Sequence, residues 1–306
     1  MMKPGLLAGG RGVWLVALVL SAISQAAAAA AFAEFFGLAL QDSDTPRLIE
    51  LLGLIAALLA AASFAERLVG EIVAQSYIHS VRLELFEALI AHKGTTSEAQ
   101  WLNPLVNDLG ALRNWAARGP VRLLTSAIAL IVAIAFFVVR YPQLAWAALP
   151  FPVCVGLIWF AAPRLRETIR QQRRTRGGLT RFIVRRARVE ASGLNKKNRH
   201  GRISMTDRSK QLGQLTVARA RIFALLEGAA TAAPASALII VALVSIGQGM
   251  DSSMTVAAIT LLGFAGARQI EIVRAVHASI GGNVAHRRIE HVLSNAQKAR
   301  DFSNAG

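Results

Sequence analysis

A chain of 306 residues, 54% hydrophobic and with a net charge of +16, can form one large domain or two small ones. Its apolar residues gather into six nearly uncharged runs close to bilayer-spanning length, about 17–25 residues, which excludes an ordinary soluble domain. A single cysteine, Cys154, excludes an internal disulfide and a cysteine-based metal site, and inside an apolar run it reads as a small apolar residue.

The first run, Val13–Leu40, holds no charge except Glu34. Its basic start and small residues also suit a cleaved signal peptide. Its length, about 42 Å of helix at about 1.5 Å per residue, favours an uncleaved span. Glu34 falls near the outer end, as a gate, a proton site or an interfacial carboxylate. The second run, Leu48–Ala65, has only Glu50 near its start. From Glu66 to His92, Leu68, Ile72, Val81, Leu85 and Leu89 recur at helical spacing, so the helix is expected to continue about 40 Å beyond the lipid. The stretch HKGTTSEAQ then suits a turn and an N-cap. Trp101–Arg122 returns as a helix, with breakers at Pro104 and Pro120, and leads into the uncharged third run, Leu123–Val139.

The fourth run, Leu144–Ala162, is uncharged and continues into the basic, helix-compatible stretch Arg164–Val189. That stretch suits either anionic lipid heads or the solvated face of a long helix. After the break SGLNKKNRHG, a short helix is expected near Ile203–Gln211, then a return leg into the fifth run, Ile222–Ile246. Glu227 is the only charge there, either a partner for Arg268 or Arg274, a proton carrier, or a snorkelling carboxylate. The sixth run, Met254–Ala267, has only 14 residues and must borrow its continuation, where Arg268, Glu271 and Arg274 recur every third residue. They form one expected ridge, continued by His277, that either lines a cavity for an anionic or zwitterionic substrate or neutralises itself through Glu271. Residues 295–306 read as a flexible tail. The six histidines have no metal spacing.

Short intervals follow runs one, three and five, and intervals of nearly 60 residues follow runs two and four. Of 34 Lys and Arg residues, only Arg47 and Arg140 sit in the short intervals. This is the positive-inside pattern, and it places both termini in the cytoplasm. It also assigns the charge to membrane topology rather than nucleic acid. The expected fold is all-α: a polytopic membrane protein with six transmembrane helices, spans at about 13–40, 48–65, 123–139, 144–162, 222–246 and 254–274, and two long cytoplasmic helical hairpins.

This layout resembles the transmembrane domain of exporter-type (type 1) ABC transporters. The stretch LVNDLGALRNWAARGPVRLL is similar to that family's segment between the first cytoplasmic turn and the third span. RLVGEIVAQSYIHSVRLELFEALI is similar to its second helix, with Arg82 and Leu85–Phe86 at loosely matching spacing. VAHRRIEHVL resembles the close of its sixth helix. The resemblance implies a transmembrane domain over 1–294 and coupling helices near Thr95–Trp101 and Arg199–Arg208 that dock on ATPase domains. Pro104 departs from the family's usual polar or basic residue. The residues implied in coupling are Thr95, Glu98, Trp101, Asp108, Arg113, Arg199, Arg202, Asp207 and Arg208. Those implied in the cavity are Glu227, Arg268, Glu271 and Arg274.

No Gly-Lys-Ser/Thr occurs in the sequence, so the phosphate-cradling loop of the family's ATPases is missing and no enzyme activity is expected. ATP and Mg would act through a partner; the chain itself would bind no cofactor. The resemblance implies a homodimer or heterodimer in a bacterial-type inner (plasma) membrane, with the hairpin of spans four and five reaching across to the partner. A separate ABC ATPase subunit or an ABC half-transporter would complete the permease. Two alternatives keep the architecture: a proton-driven peptide carrier using Glu34, Glu227 or Glu271, and a non-transporting scaffold or regulator.

Overall fold

The computed structural model describes residues 10–41, 45–91, 109–191 and 199–304. Among these residues the chain is helical, without strands, and six helices are long and apolar enough to cross a membrane. In chain order the helical elements are α1 (Arg11–Ala39), α2 (Thr45–Ala91), α3 (Leu109–Arg118), α4 (Pro120–Arg140), a 3-10 turn (Pro142–Ala148), α5 (Pro150–Ala191), α6 (Arg199–Gln248) and α7 (Ser252–Asn304). The break HKGTTSEAQ lies outside the described residues.

The chain divides into two compact units, Met1–Gly156 with Ala229–Gly306, and Leu157–Gly228. In the first, α1 packs on α2, α4 and α7, α4 packs along α7, and α3 lies against α2 and α7. The contacts rest on small residues. Ala22, Ala26, Ala30 and Ala33 are buried on one face of α1, and small residues let helix backbones approach closely in lipid, where apolar burial gives little drive. At Gly37 a Cβ would stand 2.5 Å from the Ser253 carbonyl oxygen, and at Gly266 it would stand 2.7 Å from the Pro234 Cβ. The apolar window of α2 packs differently. Ile49, Leu54, Leu58 and Phe64 are exposed, a face suited to lipid tails.

Beyond its apolar run, α2 buries Val73, Tyr77, Val81 and Leu85, one i, i+4 stripe. Leu68 and Ile72, grouped with that face by the sequence periodicity, lie on the opposite, exposed side. Their spacing is helical, but their phase differs from that of the stripe. α3 supplies Leu109, Leu112, Trp115 and Ala116 to the same core, and α7 supplies Ile289.

Gly119 separates α3 from α4, and Pro120 opens α4 at a first-turn position, where its missing N–H costs nothing. The side chain of Trp115 lies over Gly282, where an added Cβ would stand 2.0 Å from the Trp115 Cβ. Its ring also packs 6.1 Å from Tyr77 and 5.0 Å from His286. On α1, Arg11 sits 5.6 Å from the Tyr77 ring centroid, and its Nη1 donates to Ser80 Oγ at 3.4 Å.

At the opposite end, Arg140 donates to Glu34 through Nε at 2.8 Å and Nη2 at 3.3 Å, and Tyr141 Oη donates to Glu34 at 2.7 Å. Glu34 therefore joins α1 to the end of α4. Asp251 caps α7 and accepts the Gln41 side-chain amide. That bond, with Ser253 donating at 3.1 Å, holds its carboxyl below the ordinary range.

Two expectations on the second hairpin and the C-terminus change. α6 runs unbroken from Arg199, so no separate short helix spans Ile203–Gln211; no proline interrupts the stretch before Pro234, and a mid-helix glycine such as Gly213 costs only about 1 kcal/mol. α7 continues to Asn304 through the expected tail, in a stretch without Gly or Pro after Gly282.

The Trp115–Gly282 contact leads to a graded test. Gly282→Ala is expected to cost about 1–3 kcal/mol through overpacking and to lower the thermal unfolding midpoint in detergent. Gly281→Ala, whose added Cβ meets nothing within 4 Å, is expected to leave the midpoint unchanged or slightly raised.

Candidate functional site

A charge at membrane depth is expensive unless it faces the bundle interior and is paired. Four helices of the first unit meet this demand in one cluster. α2 brings Glu66 at the end of its apolar run, and α7 brings Arg268 and Glu271. α4 brings Arg122, Thr125 and Ser126, and α1 brings Gln25 from within its alanine-rich stretch. Glu66 is 4% exposed, Arg268 8% and Gln25 0%, whereas Arg122 and Glu271 are partly open.

The bonding is reciprocal. Arg268 Nη1 donates to Glu271 Oε2 at 2.9 Å and to Glu66 Oε2 at 3.4 Å, while its Nη2 donates to Gln25 Oε1. Arg122 Nη2 donates to Glu271 Oε1 at 2.7 Å, and its Nη1 reaches Glu66 Oε1 at 3.4 Å. Thr125 Oγ1 donates to Glu66 Oε1 at 2.7 Å, Gln25 Nε2 to Glu66 Oε2 at 3.0 Å, and Ser126 Oγ to Glu271 Oε2 at 3.1 Å. Two guanidiniums thus face two carboxylates, and the cluster carries no net charge. Each carboxylate accepts from both guanidiniums and at least one neutral donor, the condition under which a buried ion pair offsets its desolvation.

Of the expected cavity residues, Arg268 and Glu271 are in this cluster. Arg274, the next step of the i, i+3 series, is exposed and lies about 120° around the helix from Arg268. Glu271 pairs with Arg268 and with Arg122, from two helices. Glu227 is half-buried on α6 in the second unit, and Arg268 is engaged by Glu66, Glu271 and Gln25. Sequence reasoning missed Glu66 and Arg122 because each was used to mark the end of an apolar run. Their signal was that position: opposite charges stood next to the ends of two apolar runs, as Arg268 did at the end of the sixth.

Of the expected coupling residues, Thr95, Glu98, Trp101 and Asp108 lie outside the described residues. Arg113 donates to Glu71 of α2 through Nε at 2.7 Å, so it braces the first hairpin. Arg199 and Arg202 fall in the first turn of α6, their side chains outside the described ones. Asp207 and Arg208 are exposed about two turns farther along, with the Arg208 guanidinium 4.9 Å from the Phe182 ring centroid. Among the described residues no group of His, Cys, Asp or Glu could hold a metal ion.

Removing one member of a buried ion pair costs about 3–5 kcal/mol, because its partner is left charged and unpaired. Arg268→Met is therefore expected to lower the unfolding midpoint sharply in detergent. The double variant Glu66→Gln with Arg268→Gln should lose less than the two single losses combined. Strict additivity in this double-mutant cycle would show that the two side chains do not interact.

The comparison with protein families matches residues 12–186 to the ABC transporter transmembrane region. The match covers α1 to α4 and most of α5, including Gln25, Glu66, Arg122, Thr125 and Ser126, and contains no ATPase domain. No curated protein matches the chain. Residues 12–186 are more than half of the 306, and on that ground the chain belongs to the ABC transporter transmembrane region family, as a membrane-embedded component of a transporter.

Proposed function

We propose that this chain is the permease subunit of an ABC transporter, moving substrate across the membrane while a separate nucleotide-binding partner hydrolyses ATP. Both termini and both long hairpins face the cytoplasm of a bacterial-type inner membrane, and two permease chains pair as a homodimer or heterodimer. The reading rests on how the first hairpin is attached. Tyr77 of α2, Trp115 of α3 and Ile289 of α7 share one core, and Arg113 ties α3 to α2. Motion at the hairpin tip is thereby delivered to α2, α4 and α7, the helices that carry Glu66, Arg122, Arg268 and Glu271.

In this reading Thr95, Glu98, Trp101, Asp108 and Arg113 on the first hairpin, with Arg199, Arg202, Asp207 and Arg208 on the second, meet or support the ATPase. The ATP and Mg are held by that partner. Arg268, Glu271 and Arg274 belong to the substrate path. The proton-driven alternative draws no support from the cluster, since its carboxylates are already neutralised by arginine.

Purification of the tagged full chain from its native membrane should bring down an ABC ATPase in stoichiometric amount. A large aromatic anchor at an interface carries about 2 kcal/mol or more. Trp101→Ala should therefore cut the ATPase activity that depends on this chain by at least about tenfold, with the membrane domain still folded. Substrate uptake that a protonophore abolishes, without any ATPase in the complex, would overturn the proposal.

A further inference from the structure

The second unit, Leu157–Gly228, holds 18 Lys and Arg against four Asp and Glu, a surplus of 14 in a chain whose total is +16. Within it, α5 and α6 run antiparallel. Gln172 Nε2 donates to Thr216 Oγ1 at 2.9 Å, and Arg219 Nη1 donates to Gln172 Oε1 at 3.2 Å. Farther along, Arg208 lies over Phe182. These contacts put Arg219 and Arg221 of α6 at the level of Glu167–Arg170 of α5.

At this level the apolar run of α5 ends. Trp159 and Phe160 are 80% and 69% exposed, the placement of interfacial aromatic rings. The Arg164 guanidinium stands 4.8 Å from the Phe160 ring centroid. Arg164, Arg166, Arg170 and Arg221 are exposed, and Arg219 is half-buried. Among the described residues of this unit at this level, Glu167 and Glu227 oppose these five, and Glu167 already accepts from Arg170 at 3.4 Å and Gln171 at 3.2 Å. Five arginines against two carboxylates leave a local surplus beside the lipid.

The distances decide which arginines count. Arg170 is about 12 Å along the helix from Ala162, whereas Arg181 and Arg185 are about 28 and 34 Å away. Screening reduces a surface potential over about 8–10 Å at physiological ionic strength. The first two turns after the span therefore feel the bilayer charge, and the far end of the stripe does not.

We propose that the mouth of this hairpin, built by Trp159, Phe160, Arg164, Arg166, Arg170 and Arg221, binds the headgroups of anionic phospholipids in the adjoining leaflet. The aromatic rings lie at the headgroup level, the Phe160 ring supports the Arg164 guanidinium, and the arginines hold lipid phosphates. The site rests on the membrane embedding of the family and not on the ATPase partner. Its failure and that of the permease reading are therefore distinguishable.

The test reconstitutes the full chain in phosphatidylcholine bilayers containing spin-labelled phosphatidylglycerol or spin-labelled phosphatidylcholine, and measures the relative association of the two lipids with the protein. Each basic residue close to an anionic surface contributes roughly a fivefold preference. The wild type should prefer phosphatidylglycerol at least about fivefold, and Arg164→Gln, Arg166→Gln, Arg170→Gln and Arg221→Gln together should abolish that preference. Arg166→Gln and Arg170→Gln alone should each lower it, which keeps the test informative if the fourfold variant does not fold. The control, Arg174→Gln with Arg181→Gln and Arg185→Gln, should keep the wild-type preference. The proposal is overturned if the wild type shows no preference, or if the control loses as much as the near-membrane variants, the behaviour of a stripe that binds a soluble polyanion.

Discussion

Glu66 and Arg268 are almost fully withdrawn from solvent in a protein whose surroundings are largely hydrocarbon, and most of the bundle geometry follows from pairing them. A carboxylate and a guanidinium at that depth each need several donors or acceptors at fixed distances. Gln25 and Thr125 complete the shell of Glu66, and Arg122 and Ser126 complete that of Glu271. Those residues come from α1 and α4, so the rotation of four helices about their axes is set by one neutral cluster. The small residues around it allow the approach, since alanine and glycine seams leave no bulky side chain to hold the backbones apart.

Two further contacts repeat the theme at either end of the first unit. Glu34 is held by Arg140 and Tyr141, and Gln41 by Asp251. At the other end Arg11, Tyr77, Trp115 and His286 form an aromatic stack closed over Gly282. α1 and α7 are thus fastened at three levels, and α2 and α4 at two. Displacing one of them within the unit unpairs buried charge at the middle level, so these helices are built to move together. That property suits a transporter component, in which a domain must shift without melting.

Charge is handled in two ways along this chain. In the interior of the first unit it is scarce, and Glu66 and Arg268 face opposite charge. In Leu157–Gly228 it is abundant and almost all of one sign. An exposed arginine is solvated at little cost, so sequence can accumulate it there, whereas Arg268, buried in the bundle, is matched by Glu66 and Glu271. The +16 of the whole chain therefore describes the hairpin rather than the bundle.

The sequence by itself determined the class of fold. Six nearly uncharged runs, their alternating spacing and the helical recurrence beyond run two are properties of composition and order, and α1 to α7 carry them with altered ends. Arg268 and Glu271 were legible as candidates because charge in an apolar context is conspicuous. Tertiary structure alone decided their partners. Glu66 lies 202 residues from Arg268 and Gln25 lies 243, and no local period encodes such a meeting. The phase of each helix was equally hidden: Leu68 and Ile72 recur at helical spacing yet face outward, and Arg274 turns away from Arg268. Spacing fixes which residues share a face of one helix, but which face is buried depends on the helices packed against it.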